Sequence, residues 1–109
     1  MIRHILLFSF AAEADDAARS QVMNGLRELP QLFPEIRDFE LGPNRGDRDD
    51  TFAFGMTMTF PDAPTLRGYL TSDLHESFVR TIFRPSIRHR AIVSFEVADE
   101  SRTNLKTGE

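Results

Sequence analysis

The chain has one tyrosine, and it stands six residues before one of three histidines, in the run Tyr69-Leu70-Thr71-Ser72-Asp73-Leu74-His75. A phenol and a neutral imidazole are a suitable pair for moving protons on and off a carbonyl compound near neutral pH. The imidazole acts as base, and the phenol donates a hydrogen bond to the developing oxyanion. An apolar cavity around them would strengthen both interactions. The competing reading is structural: Tyr69 packs at a core edge with its hydroxyl in water, and His75 simply opens a helix.

Other chemistries find less support. Cysteine is absent, which excludes disulfides, thiol nucleophiles and thiolate metal sites. His4, His75 and nearby acids lack the spacing of a metal motif, so no metal site is expected. Asp47, Asp49 and Asp50 form a charged turn without the distal glutamate of a calcium loop. Met23, Met56 and Met58 suit core filling. No glycine-rich phosphate loop is present, and no cofactor is expected. His4 shares a strand face with Ile2, Leu6 and Phe8, where a buried imidazole needs a hydrogen bond. It is either a core residue or a pocket residue. His89 lies among Arg84, Arg88 and Arg90, a basic corner suited to a carboxylate or a coenzyme A phosphate, or else a solvated turn.

The elements that must position these residues follow from periodicity. The chain has 109 residues, 40% of them hydrophobic, with a formal charge of −4, which fits one globular domain. The acidic balance argues against nucleic acid and anionic membrane as partners. Ile5-Leu6-Leu7-Phe8 is too short to span a bilayer, and no secretion leader is evident, so a cytoplasmic protein is expected. Alternation predicts a first strand over 2–10. Asp15 and Asp16 then open a helix to about Gln31, whose stripe is Ala18, Val22, Leu26, Leu29 and Phe33, ended by Pro30 and Pro34. A second strand over 36–41 sets Ile36, Asp38 and Glu40 against Arg37, Phe39 and Leu41. After a turn over 42–50, a third strand over 52–60 has a bulky face (Phe52, Phe54, Met56, Met58, Phe60) and a small one (Ala53, Gly55, Thr57, Thr59). The small face offers volume for a pocket. Asp62 caps a second helix carrying Leu66, Tyr69 and Leu70. Ser72 or Asp73 caps a third, carrying Leu74, Phe78, Val79, Ile82 and Phe83 and stopped by Arg84-Pro85. A last strand covers 90–97, and residues 98–109 read as a polar, mobile tail.

The order β-α-β-β-α-β predicts an α+β ferredoxin-like fold with an antiparallel four-stranded sheet, in one domain over 1–97. Two helices cover one face of such a sheet. The strands are apolar on both faces, so the uncovered face calls for a second copy. A homodimer is expected, its two sheets closing a dimeric α+β barrel.

Three segments carry a resemblance to a known family. They are the opening Met1-Ile2-Arg3-His4-Ile5-Leu6-Leu7-Phe8-Ser9-Phe10, the stretch Phe33-Pro34-Glu35-Ile36 through Gly42, and Tyr69-Leu70-Thr71-Ser72-Asp73-Leu74-His75-Glu76-Ser77-Phe78. In order and spacing the chain resembles the stress-responsive A/B barrel domain (Dabb) family of dimeric α+β barrels, over about residues 1–97. The resemblance implies the same fold and dimer. It also implies a role for Tyr69 and His75 as acid and base, as in a plant polyketide cyclase of that family, with His4 lining the pocket. A pocket tyrosine of that cyclase falls at Leu26, and Ser72-Asp73 stands where the family often shows His-Pro. The expectation is a cofactor-independent cyclase, isomerase or lyase acting on a hydrophobic carbonyl or polyketide-like substrate. His75 and Tyr69 would be catalytic, and His4, Leu26, Phe78 and Phe83 would bind substrate. The alternatives are a non-catalytic stress-responsive or ligand-binding dimer and a cofactor-free monooxygenase, whose wide aromatic pocket sits poorly with a chain lacking tryptophan.

Overall fold

The computed structural model describes residues 1–98; the expected tail falls almost wholly outside them. Strand β1 (Ile2–Phe10) leads to helix α1 (Asp16–Leu32), then β2 (Arg37–Pro43), β3 (Phe54–Phe60), α2 (Ala63–Thr71), α3 (Asp73–Phe78) and β4 (Ile87–Glu96). The sheet order is β2-β3-β1-β4, antiparallel throughout, which is the expected ferredoxin-like α+β arrangement.

Local signals start the helices where the sequence places them. The Asp15 carboxylate accepts from the Ala18 N–H at 2.8 Å, and Asp62 accepts from Thr65 N–H at 2.9 Å. Pro30 does not stop α1; it sits within the last turn, and Phe33 N–H closes the end on Leu29 O at 2.8 Å. Helix α3 likewise runs past its expected stop. It widens into a π-helical stretch (Val79–Phe83) and finishes in one turn, Arg84–Ser86, that contains Pro85. Proline has no N–H for the carbonyl four residues back, and its ring crowds that carbonyl; a wider preceding turn relieves both.

Register assigns the faces. Ile2, His4, Leu6 and Phe8 pair with Phe60, Met58, Met56 and Phe54, and this side packs under the helices. The core is Phe8, Met56, Met58 and Phe60 from the sheet with Val22, Leu26, Leu29, Tyr69 and Phe83 from the helical layer. Two strand readings change. Asp38 adopts φ 52°, and the β2–β3 register shifts between Arg37 and Glu40. This bulge inserts one residue, so Ile36 turns inward with Phe39 and Leu41 rather than lying with Glu40. Strand β4 starts at Ile87, three residues early, which places His89 inside the strand.

The uncovered side of the sheet carries Leu7 from β1 with Val93 and Phe95 from β4, all exposed. The bulky residues of β3 lie on the side that the helices cover. No helix among the described residues is long and apolar enough to cross a membrane.

Candidate functional site

Three elements position the candidate residues. Strand β1 brings His4 to the helix side, where it is 4% exposed. Helix α2 buries Tyr69 against Phe33 and Phe60, with ring centroids 4.9 and 5.1 Å away. The chain then turns sharply: Ser72 N–H bonds Tyr69 O at 3.3 Å, and Ser72 Oγ accepts from the His75 N–H at 3.1 Å as the N-cap of α3. This cap sets His75 beside Tyr69, with ring centroids 4.4 Å apart. The His4 ring lies 6.3 Å from Tyr69.

One hydrogen bond fixes the protonation of His75. Its Nδ1 lies 3.2 Å from the Leu70 carbonyl oxygen. A carbonyl can only accept, so neutral His75 carries its proton on Nδ1 and keeps a free lone pair on Nε2. Burial holds its pKa below the ordinary histidine value, against smaller opposing effects of the Leu70 carbonyl and the Glu76 charge. Burial lowers His4 too, and the nearby His75 charge adds to that. His4 Nδ1 shares a 2.7 Å hydrogen bond with Ser94 Oγ on β4. Burial pushes the Tyr69 phenol well above its usual value, so it stays protonated as a donor.

These residues line a cavity of about 440 Å³ between sheet and helices. His4, Leu26, Tyr69, His75, Phe78 and Phe83 are all on its wall. Among the described residues no three metal-ligating side chains come together. The basic corner divides: Arg84 and Arg90 line the cavity, whereas the exposed Arg88 and His89 do not. Gly55 and Thr57, expected to supply volume here, belong to a separate concavity of about 650 Å³ on the other side of the sheet, lined with Leu7, Glu40 and Gly42. The pleat explains this, because Met56 takes the helix side and its neighbours must point away.

Three contributors escape sequence reasoning. Gly25 lets the Phe78 ring lie against α1, where any added Cβ would collide with it. Its only sequence signal is a glycine inside a helical stripe. Ser94 is signalled only by its register opposite His4. The π stretch brings the Phe83 and Phe78 rings together, centroids 6.4 Å apart and planes tilted by 42°, although an α-helix would set residues five apart about 140° around its axis.

The architecture is shared widely. A hydroxynitrile lyase from Passiflora edulis superposes with TM-score 0.81 at 19% identity, covering 90% of this chain and 94% of its own. A Dabb family protein with a ferredoxin-like fold from Mesorhizobium loti gives 0.77 at 18%, covering 90% and 97%. A dimeric ferredoxin-like protein of unknown function from Thermobifida fusca gives 0.73 at 25%, covering 88% and 90%. No curated protein matches the chain. The profile of the Stress Responsive A/B Barrel Domain matches residues 2–97, nearly the whole of the described chain, and with the fold in agreement the protein belongs to the Dabb family.

Proposed function

We propose that this protein is a cofactor-independent enzyme of the cyclase, isomerase or lyase type, acting on a hydrophobic carbonyl compound. The observation that carries the reading is the Leu70 carbonyl on His75 Nδ1, which leaves Nε2 as a base beside Tyr69 in an apolar cavity. In this reading Nε2 withdraws a proton from the carbon next to the carbonyl. The Tyr69 hydroxyl donates to the carbonyl oxygen as it gains charge, and protonated His75 returns the proton to the product. His4, steadied by Ser94, orients the substrate. Leu26, Phe78 and Phe83 hold its apolar body. The presence of a hydroxynitrile lyase on the same scaffold supports the lyase branch. We further propose that the working form is a homodimer joined through the exposed sheet face, as the dimeric relative of the same fold supports.

Deuterium uptake next to the carbonyl, followed by NMR over a panel of methyl ketones and β-keto esters, tests the chemistry on the whole compound class at once. His75→Ala is expected to slow exchange about 10²-fold or more, and Tyr69→Phe by a similar factor. Exchange at wild-type rate in both variants would remove the assignment. Binding of the panel without exchange by the wild type would favour the ligand-binding alternative.

A further inference from the structure

The mouth of the cavity is charged in a way the proton chemistry does not use. Arg80 and Arg84 lie one helical turn apart on the segment that ends the helical layer, and Arg90 lies on β4 in register with Phe8. All three line the cavity that holds His75 and Tyr69, and all three are exposed at its rim. The lining contains one carboxylate, Glu76. The one ion pair among the described residues joins the Met1 amine to Glu96, so no carboxylate among them lies within 4 Å of any of the three guanidiniums. This arrangement stands in a chain whose formal charge is −4. Three guanidiniums facing one carboxylate raise the local concentration of anions, and each presents a planar fork that matches the oxygens of a carboxylate or phosphate.

We propose that Arg80, Arg84 and Arg90 form an anion-binding rim, and that the ligand carries a carboxylate or phosphate at the end remote from its reacting carbonyl. The inference rests on the site proposed above and adds polarity to it: the apolar body and carbonyl lie inward, and the oxyanion group lies at the mouth.

Binding measured by calorimetry tests the rim independently of turnover. The probes are 7-oxooctanoate, the neutral 2-octanone, and octyl phosphate. The wild type is expected to bind 7-oxooctanoate about tenfold more tightly than 2-octanone, with the preference shrinking as salt rises. The Arg84→Gln/Arg90→Gln double variant, and more so the triple variant with Arg80→Gln, should abolish the preference while the Kd of 2-octanone stays within about twofold. Octyl phosphate binding more tightly than 7-oxooctanoate assigns the rim to phosphate; the opposite order assigns it to carboxylate. Equal affinity for the charged and neutral probes, absence of binding by all three, or a preference that survives the triple variant each overturns the proposal. His75→Ala separates the two ideas. It should keep the anion preference while losing deuterium exchange, so failure of the chemistry leaves the rim standing and failure of the rim leaves the exchange assay intact.

Discussion

The surroundings of His75 set its tautomer and its proton affinity. The Leu70 carbonyl dictates which nitrogen keeps the proton, and burial lowers the pKa below the ordinary value of 6.5. The sign of the pH dependence follows. A depressed pKa keeps the imidazole neutral, hence basic, to lower pH than an ordinary histidine. The rate of kcat/KM-limited exchange should therefore fall on the acid side, as His75 gains its proton, with the midpoint of that limb below 6.5. A pH profile of exchange measures this directly; an acid limb centred at or above 6.5 would contradict it. Tyr69 adds no alkaline limb in the same range, because burial moves its ionisation upward. At this scale the sequence is informative about identity and poor about direction. The Tyr69–His75 spacing points to the pair, yet the tautomer depends on a backbone carbonyl, which every residue has. Gly55 and Thr57 are the opposite case: their small size suggests a pocket, and only strand register tells which side of the sheet it lies on.

Between residue and fold, the short elements do the aiming. Ser72 is at once the C-cap of α2 and the N-cap of α3. A turn this tight carries His75 from the end of one helix to within 4.4 Å of a ring on the previous one. Ser72→Ala removes the acceptor for His75 N–H. It should cost about 1 kcal/mol of stability and slow exchange through misplacement of His75, while Ser72→Thr, which keeps a capping hydroxyl, should restore both. Denaturant unfolding and the exchange assay read the two effects together. An alanine variant with full exchange activity would show that the cap does not aim the base. The caps at Asp15, Asp62 and Ser72 are legible because capping is a local contest decided within four residues. The bulge at Asp38 and the π stretch at Val79–Phe83 are not, since each answers to something beyond its own periodicity. The bulge is set by pairing with β3, and the π stretch by the conflict between Pro85 and the turn before it.

Taken whole, the molecule has a cavity-bearing side and an exposed apolar side, and one sheet separates them. Strand alternation sends His4 and Leu6 toward the helices and Ile5 and Leu7 away from them. On the far side Ile5 lies beside Val93 in register, flanked by Leu7–Ala91 and Arg3–Phe95 pairs. Val93 and Phe95 remain 52% and 45% exposed. Each large apolar side chain moved from water into an interface contributes about 1.5–3 kcal/mol, so a face of this kind favours a twin. The small residues Gly55 and Thr57 leave a concavity on that same side, into which a facing copy can settle. Val93→Asp puts a charge at the middle of the apolar row, where burial without a partner is expensive. Sedimentation of the wild type at micromolar concentration should give twice the 12.4 kDa chain mass, and the variant should shift toward the single chain with its circular dichroism unchanged. Since the lining of the candidate cavity comes from the helix side of a single chain, the separated variant should still bind the same probes. A wild type that sediments as one 12.4 kDa particle would mean that the exposed row is tolerated in water and that the fold keeps its cavity without a twin.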